Sequence, residues 1–212
     1  MEVINLKAVP IAYERSVYSI NQKELNAIKK IKYRKPDQGL YLSETITLLE
    51  NKTLASLKKF IIKKAEEYTR EVLEINDQIY LTQSWSTINP PNVSHPLHSH
   101  PNTFISMVYY AQCKSGALQF HLNTTSIREC FNFHYTINKF NIYNSQVWTF
   151  PVKTGDIVLF PGHINHSSLP NESRESRIIV GANFFIKGML GSKKDVSSLK
   201  IASDLFGEDL KS

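Results

Sequence analysis

Six strand-like segments follow one another after residue 78, and no helix-like segment separates them. Each is rich in β-branched and aromatic residues, and turn-forming residues flank several of them. This order predicts antiparallel pairing in a β-sandwich or jelly roll, and it disfavours a parallel α/β sheet. The segments are IYLTQSWSTI (79–88), TFISMVYYA (103–111), GALQFHL (116–122), QVWTFPV (146–152), DIVLFP (156–161) and SRIIVGANFFI (176–186).

The region before residue 78 has the pattern of helices. Apolar residues at helical spacing predict a short helix over 22–31 and a longer one over about 52–74. We expect one domain, mainly β with flanking helices, because 212 residues suit a single core. Its parts are a helical segment, about 1–77, packed on one sheet, a β core, about 78–190, and a C-terminal appendage, about 191–212.

Composition excludes some functions. The net charge is +6, but the basic runs at 29–35 and 58–64 suit solvated helix faces, so nucleic-acid binding is disfavoured. No apolar stretch is long enough to span a membrane, and the first sixteen residues lack the pattern expected of a secretory signal. Two cysteines without metal or redox spacing favour a cytoplasmic location.

Histidines are concentrated in two segments of the predicted β region. In SHPLHSHPNTF, His98 and His100 are two residues apart, so both face one side of an extended strand. His95 would face away only if the strand continued through Pro96, which leaves its side open. A later segment, GHINHSS, offers His163 and His166, which cannot both be in phase if the segment is extended. Ligands from two strand ends predict a metal site with open positions.

An arginine follows the second histidine segment. Arg177 begins the last predicted strand, eleven residues after His166. Its planar guanidinium is suited to bind a carboxylate inside the barrel. The predicted turn between the fourth and fifth segments, Lys153 to Gly155, indicates a tight hairpin, and the adjacent Asp156 is expected to point to solvent.

Over roughly residues 80–187 the sequence resembles the Fe(II)/2-oxoglutarate-dependent oxygenases, in particular their prolyl-hydroxylase-like branch. The resemblance rests on HPLHSHPNTFISMVYYA, SGALQFH, VKTGDIVLFPGHINHSS and SRIIVGANFF. It implies a double-stranded β-helix in which His98, His100 and His166 are the metal ligands. The implied cofactors are Fe(II), 2-oxoglutarate as cosubstrate, and O2.

The resemblance also implies where 2-oxoglutarate binds. Arg177 corresponds to the basic residue that holds the distal carboxylate, and Tyr110 to a tyrosine that contacts the same group. Strand alternation places Ser106 on the face of Tyr110, and Asn183 on the face of Arg177, so both are predicted to line the site. The implied activity is hydroxylation of an unknown substrate, coupled to decarboxylation of 2-oxoglutarate to succinate, with no catalytic residue beyond the metal site.

One departure from the family pattern leaves alternatives open. His100 stands where the family usually has a carboxylate. A cupin-type dioxygenase with three histidines and no 2-oxoglutarate is therefore one alternative, although Arg177 argues against it. A non-enzymatic jelly-roll binding module is another. A nucleic-acid demethylase is disfavoured because the last strand carries only one arginine.

The partners follow from the same resemblance. The substrate is expected to be a small molecule or a peptide. Residues 31–46 and the polar excursion 121–146 are expected to line its site. The segment 131–143 is predicted either to cover the site or to pair with a second subunit in a homodimer.

Overall fold

The structure is a computed structural model that describes residues 8–121, 136–141, 143–192, 194 and 196–201. Much of the predicted excursion 121–146 and of the appendage 191–212 lies outside these residues. The prediction that 131–143 covers the site or forms a dimer contact falls partly outside them, at 131–135 and 142. No helix in the described ranges is long and apolar enough to cross a membrane.

The described residues are mainly β, as predicted. The strands are β1 (Ala12–Glu14), β2 (Tyr41–Leu42), β3 (Ile79–Asn89), β4 (His95–His98), β5 (Ile105–Gln112), β6 (Ala117–His121), β7 (Val147–Pro151), β8 (Ile157–Pro161), β9 (Asn165–Ser168), β10 (Arg177–Ile186), β11 (Gly188–Leu190) and β12 (Leu199–Ile201). All six predicted strands are present. The sequence did not predict β1, β2, β4, β9, β11 or β12, which are short.

Two predicted helices are present with different ends. Helix α1 (Gln22–Lys30) begins at a capping box, in which Asn21 and Glu24 each accept a hydrogen bond from the other's backbone N–H. Helix α2 (Ala55–Glu67) is preceded by two 3₁₀ turns, Leu48–Glu50 and Lys52–Leu54, and followed by a π turn, Tyr68–Val72. The wider π turn shifts the helical phase, so Val72, predicted on the apolar face, is 48% exposed.

Two antiparallel sheets form the jelly roll. One has six strands in the order β1-β8-β5-β10-β3-β2, and the other has four in the order β4-β9-β6-β7. Strands β1 and β2 come from the region predicted as helical, and each forms one edge of the larger sheet. A separate pair, β11 and β12, follows the core.

The larger sheet has two different faces. On β5 and β10, one alternate set of residues packs against the helices, and this set includes Tyr109, Val180 and Phe184. The other set, which includes Tyr110 and Ile179, packs against residues of the smaller sheet. The prediction that the helices cover one sheet is therefore confirmed, and the candidate site lies between the sheets on the opposite face.

The connection from β7 to β8 differs from the prediction. A turn is present, with Gly155 at φ +90°, but β7 belongs to the smaller sheet and β8 to the larger one, so the two strands do not form a hairpin. Asp156 is buried, not solvent-facing. Its carboxylate accepts hydrogen bonds from the backbone N–H groups of Ser16 (2.9 Å) and Lys153 (2.8 Å), which ties the turn to the N-terminal segment.

Candidate metal centre and anion-binding cavity

Strands β4 and β9 lie side by side and bring the two histidine segments together. His98 pairs with His166 in the antiparallel register. His100 lies two residues beyond the end of β4, and its backbone N–H donates to the carbonyl of Gly162 (2.9 Å). A side chain at position 162 would place its Cβ 2.5 Å from the carbonyl oxygen of Thr103, so only glycine permits this close approach.

Backbone carbonyls fix the tautomers of two histidines. The Nδ1 of His98 lies 2.8 Å from the carbonyl of Pro96, and the Nδ1 of His166 lies 2.9 Å from that of Ile164. A carbonyl only accepts, so in both rings Nδ1 carries the proton and Nε2 keeps a free lone pair. A carbonyl partner of this kind is the usual way in which a metal-binding histidine is oriented.

The three imidazoles converge on one point. The ligand atoms of His98, His100 and His166 all lie within 4.8 Å of one another. The Nε2 atoms of His100 and His166 are 3.3 Å apart. Two nitrogens bound to one ion at about 2.1 Å, at right angles or tetrahedrally, would be roughly 3.0–3.4 Å apart. This pair is therefore already spaced for a shared metal ion.

Burial keeps these histidines neutral. Desolvation is the main cause that lowers the pKa of His166 to about 3 and that of His100 to about 4. It also lowers the pKa of His98. Neutral imidazole is the form that binds a metal, so protons do not compete for the site near neutral pH.

The structure also separates the two alternative histidines. His163 is exposed, whereas His166 is 3% exposed and faces the cavity. The strand is not regular at Pro96, and His95 does not face away from the cluster. One extra residue between His95 and His98 disturbs the pairing with β9, and the two rings stack at 4.4 Å between centroids. His95 thus contacts the cluster but is not among the three converging ligands.

Arg177 is buried in the same cavity as the three histidines. One terminal nitrogen, Nη2, donates to the hydroxyl of Ser168 (2.7 Å) and to the carbonyl of Leu169 (3.0 Å). The other, Nη1, is buried without a hydrogen-bond partner, and no carboxylate of the described residues pairs with the guanidinium. A buried cation in this state is suited to bind an anionic ligand.

Tyr110 lines the cavity with Arg177, as the resemblance implies. Burial raises the pKa of its phenol well above the ordinary value, so the hydroxyl stays protonated and can donate a hydrogen bond. The other two predicted residues lie further from Arg177. The hydroxyl of Ser106 donates to the side-chain oxygen of Asn183 (2.9 Å). Neither residue lines the cavity that contains Arg177, and Asn183 lines the cavity on the outer side of the histidines.

The sequence reasoning missed several residues that line the cavity, among them two polar or aromatic residues on β3. Trp85 packs on His100, with ring centroids 5.3 Å apart, and crosses over Gly181, where a Cβ would lie 2.5 Å from the indole ring. Asn89 is the register partner of Arg177, and its side-chain nitrogen is buried without a partner. The same alternation that placed Asn183 could have placed both on the inner face, since Trp85 and Asn89 are an even number of residues apart.

The comparisons with known proteins agree with this geometry. Residues 83–183 match the family model described as putative 2OG-Fe(II) oxygenase. This range contains the three converging histidines, Tyr110 and Arg177. The match covers just under half of the chain, and it falls on the β core. No protein in the curated set matches the sequence significantly.

Solved structures share the fold at low sequence identity. The non-heme α-ketoglutarate-dependent epimerase SnoN of nogalamycin biosynthesis is 13% identical, with a TM-score of 0.61 over 94% of this chain and 92% of its own. A prolyl hydroxylase from Trichoplax adhaerens is 12% identical, with a TM-score of 0.57 over 82% and 83%. HygX from Streptomyces hygroscopicus, solved with nickel, 2-oxoglutarate and hygromycin B, is 10% identical, with a TM-score of 0.56 over 83% and 82%.

Proposed function

We propose that this chain is an Fe(II)- and 2-oxoglutarate-dependent oxygenase that hydroxylates its substrate. The observation that carries the proposal is the buried, partly unpaired guanidinium of Arg177 in the cavity lined by three converging neutral imidazoles. A metal site alone would need no such cation. The family match and the 2-oxoglutarate bound in HygX support the choice of ligand.

The residues present fit both groups. Three imidazole nitrogens are good ligands for Fe(II) and leave positions open for other ligands. The unpaired Nη1 of Arg177 and the protonated phenol of Tyr110 supply donors for a carboxylate. When bound, Fe(II) supplies the oxygen chemistry that couples decarboxylation of 2-oxoglutarate to succinate with oxidation of the substrate.

The rest of the cavity orients these groups and excludes water. The carbonyls of Pro96 and Ile164 hold the rings of His98 and His166 with their lone pairs toward the site. The ring of Phe160 packs against His166, with 4.6 Å between centroids. Apolar walls strengthen the attraction between Arg177 and a carboxylate because they lower the local dielectric constant.

The test uses anaerobic protein with Fe(II) and 2-oxoglutarate. We expect a weak visible charge-transfer band on mixing and succinate on admission of O2. His166→Ala should abolish both, whereas His163→Ala, at an exposed histidine three residues away, should keep both. Iron binding without either the band or succinate would refute the proposal.

One observation favours a second candidate. All three converging ligands are imidazoles, because His100 takes the place of the usual carboxylate, and an ion bound here would be about one charge unit more positive than in the usual triad. Such a site suits a cupin-type dioxygenase that does not use 2-oxoglutarate. Oxygen consumption with a substrate, but independent of 2-oxoglutarate, would favour this candidate.

Several expectations stay predictions. They are a cytoplasmic location, a small-molecule or peptide substrate, the absence of nucleic-acid and membrane partners, and the choice between monomer and homodimer. Native mass spectrometry of the purified chain would test the last of these.

A further inference from the structure

Two cavities meet at the histidine cluster. The inner one is narrow and contains Arg177. The outer one has a volume of about 250 Å³ and opens toward solvent. The two share four lining residues, Trp85, His95, His98 and His100, so an ion held by the cluster would lie between them.

Among the described residues that line the outer cavity, Arg34 is the one charged side chain outside the histidine cluster, and none is a carboxylate. Its polar groups are the amides of Gln83 and Asn183 and the hydroxyl of Ser43. Its apolar part consists of Leu42, Ile46 and the indole of Trp85. A cavity with this lining suits an organic molecule that carries a negative group beside an apolar portion.

Arg34 is held at the rim by its backbone. Its N–H donates to the carbonyl of Leu42 (2.8 Å), and the hydroxyl of the preceding Tyr33 donates to the hydroxyl of Ser86 on β3 (3.1 Å). Within the described residues the guanidinium of Arg34 is exposed and forms neither a salt bridge nor a hydrogen bond. Its donors are thus free for a ligand in the cavity.

The surrounding charge favours the same ligand. Lys32 and Lys35 are exposed on either side of Arg34 and belong to the basic run 29–35. Two acidic residues, Asp37 and Glu44, are exposed on the same segment, but neither lines the cavity. The rim therefore attracts anions, and no carboxylate from the described part of the chain opposes them inside the cavity.

The geometry points to a small organic anion as the substrate, with its carboxylate or phosphate on Arg34 and its apolar portion over Trp85, toward the histidine cluster. This inference rests on the proposed function in one respect, namely that the substrate reacts at the histidine cluster. Recognition of the anion by Arg34 does not depend on that function. It assigns a recognition role to the basic run, which the proposed function leaves unused.

The test compares matched ligands in the two cavities. Phenylacetate, its neutral amide phenylacetamide and phenyl phosphate are titrated calorimetrically into the Zn(II)-loaded protein, with and without 2-oxoglutarate. The variants are Arg34→Ala and, as a control, Arg70→Ala, which removes an exposed arginine of the helical layer. We expect one or both anions to bind more tightly than the amide, and Arg34→Ala to weaken that anion roughly tenfold. Arg70→Ala should have no effect.

Three results would overturn the inference. They are the absence of any preference for the anions over the amide, a preference that persists in Arg34→Ala, and displacement of the anions by 2-oxoglutarate, which would place them at Arg177. The comparison needs neither iron nor turnover. Failure of the protein to bind 2-oxoglutarate would therefore refute the proposed function and leave this test intact.

Discussion

Replacing Arg177 by methionine separates a binding role from a structural one. The substitution keeps an unbranched apolar stem and removes the guanidinium. It removes hydrogen bonds to Ser168 and Leu169, each with a net value of about 1 kcal/mol. It also removes a buried charge that no carboxylate of the described residues compensates, which costs several kcal/mol in the native protein. We expect the free energy of unfolding of the ligand-free variant to stay within roughly 2 kcal/mol of wild type, or to rise.

Although Arg177→Met should keep or gain stability, its affinity for 2-oxoglutarate should fall. Removing one partner of a buried, hydrogen-bonded charge pair costs about 2–5 kcal/mol. The dissociation constant of 2-oxoglutarate should therefore rise roughly 30-fold to 4000-fold. Metal affinity should be unchanged, because Arg177 is not among the converging ligands.

Three measurements check this prediction: urea unfolding of the ligand-free protein, titration with metal, and anaerobic calorimetric titration of the metal-loaded protein with 2-oxoglutarate. Arg174→Met, at an exposed arginine three residues earlier, is the control and should leave all three unchanged. The reasoning is refuted if Arg177→Met binds 2-oxoglutarate as wild type does, or if a folded variant loses the metal.

Three further predictions concern the metal centre. Gly181→Ala should displace Trp85 from His100, lower stability by about 1–3 kcal/mol and weaken Zn(II) binding; unchanged Zn(II) affinity would show that Trp85 does not support His100. His100→Asp should still bind Fe(II), whereas His100→Ala should bind Fe(II) at least roughly tenfold more weakly than wild type in a metal titration. An Fe(II) affinity of His100→Ala equal to that of wild type would exclude His100 as a ligand. In the metal-free protein, the pKa of His166 is about 3 in the fold against 6.5 without it, so its contribution to stability is complete above 6.5 and falls with decreasing pH. The loss is roughly 1.4 kcal/mol per pH unit between about pH 6 and the folded pKa of about 3. Urea unfolding should show it in wild type but to a smaller degree in His166→Phe, and equal slopes would contradict the buried neutral state.

Strand alternation predicted which face of a strand a residue lies on, but not which cavity that residue reaches. It placed Ser106 with Tyr110 and Asn183 with Arg177. Tyr110 and Arg177, which the family resemblance singled out, line the inner cavity, whereas Asn183 lines the outer one. The same rule paired His98 with His100. The rule failed for His95, since one extra residue in β4 disturbs the alternation there, and no periodicity in the sequence indicates such a bulge.

The sequence by itself determined the antiparallel β class, the inward faces of the long strands and the histidines and arginine available for a site. These depend on local propensity and on a period of two residues. Only the tertiary structure decided that β7 and β8 belong to different sheets, that Nη1 of Arg177 is left unpaired, and that Arg34 lies in one cavity with His100. Those features depend on which distant segments pack together, and the packing is set by the whole core, not by any short stretch of sequence.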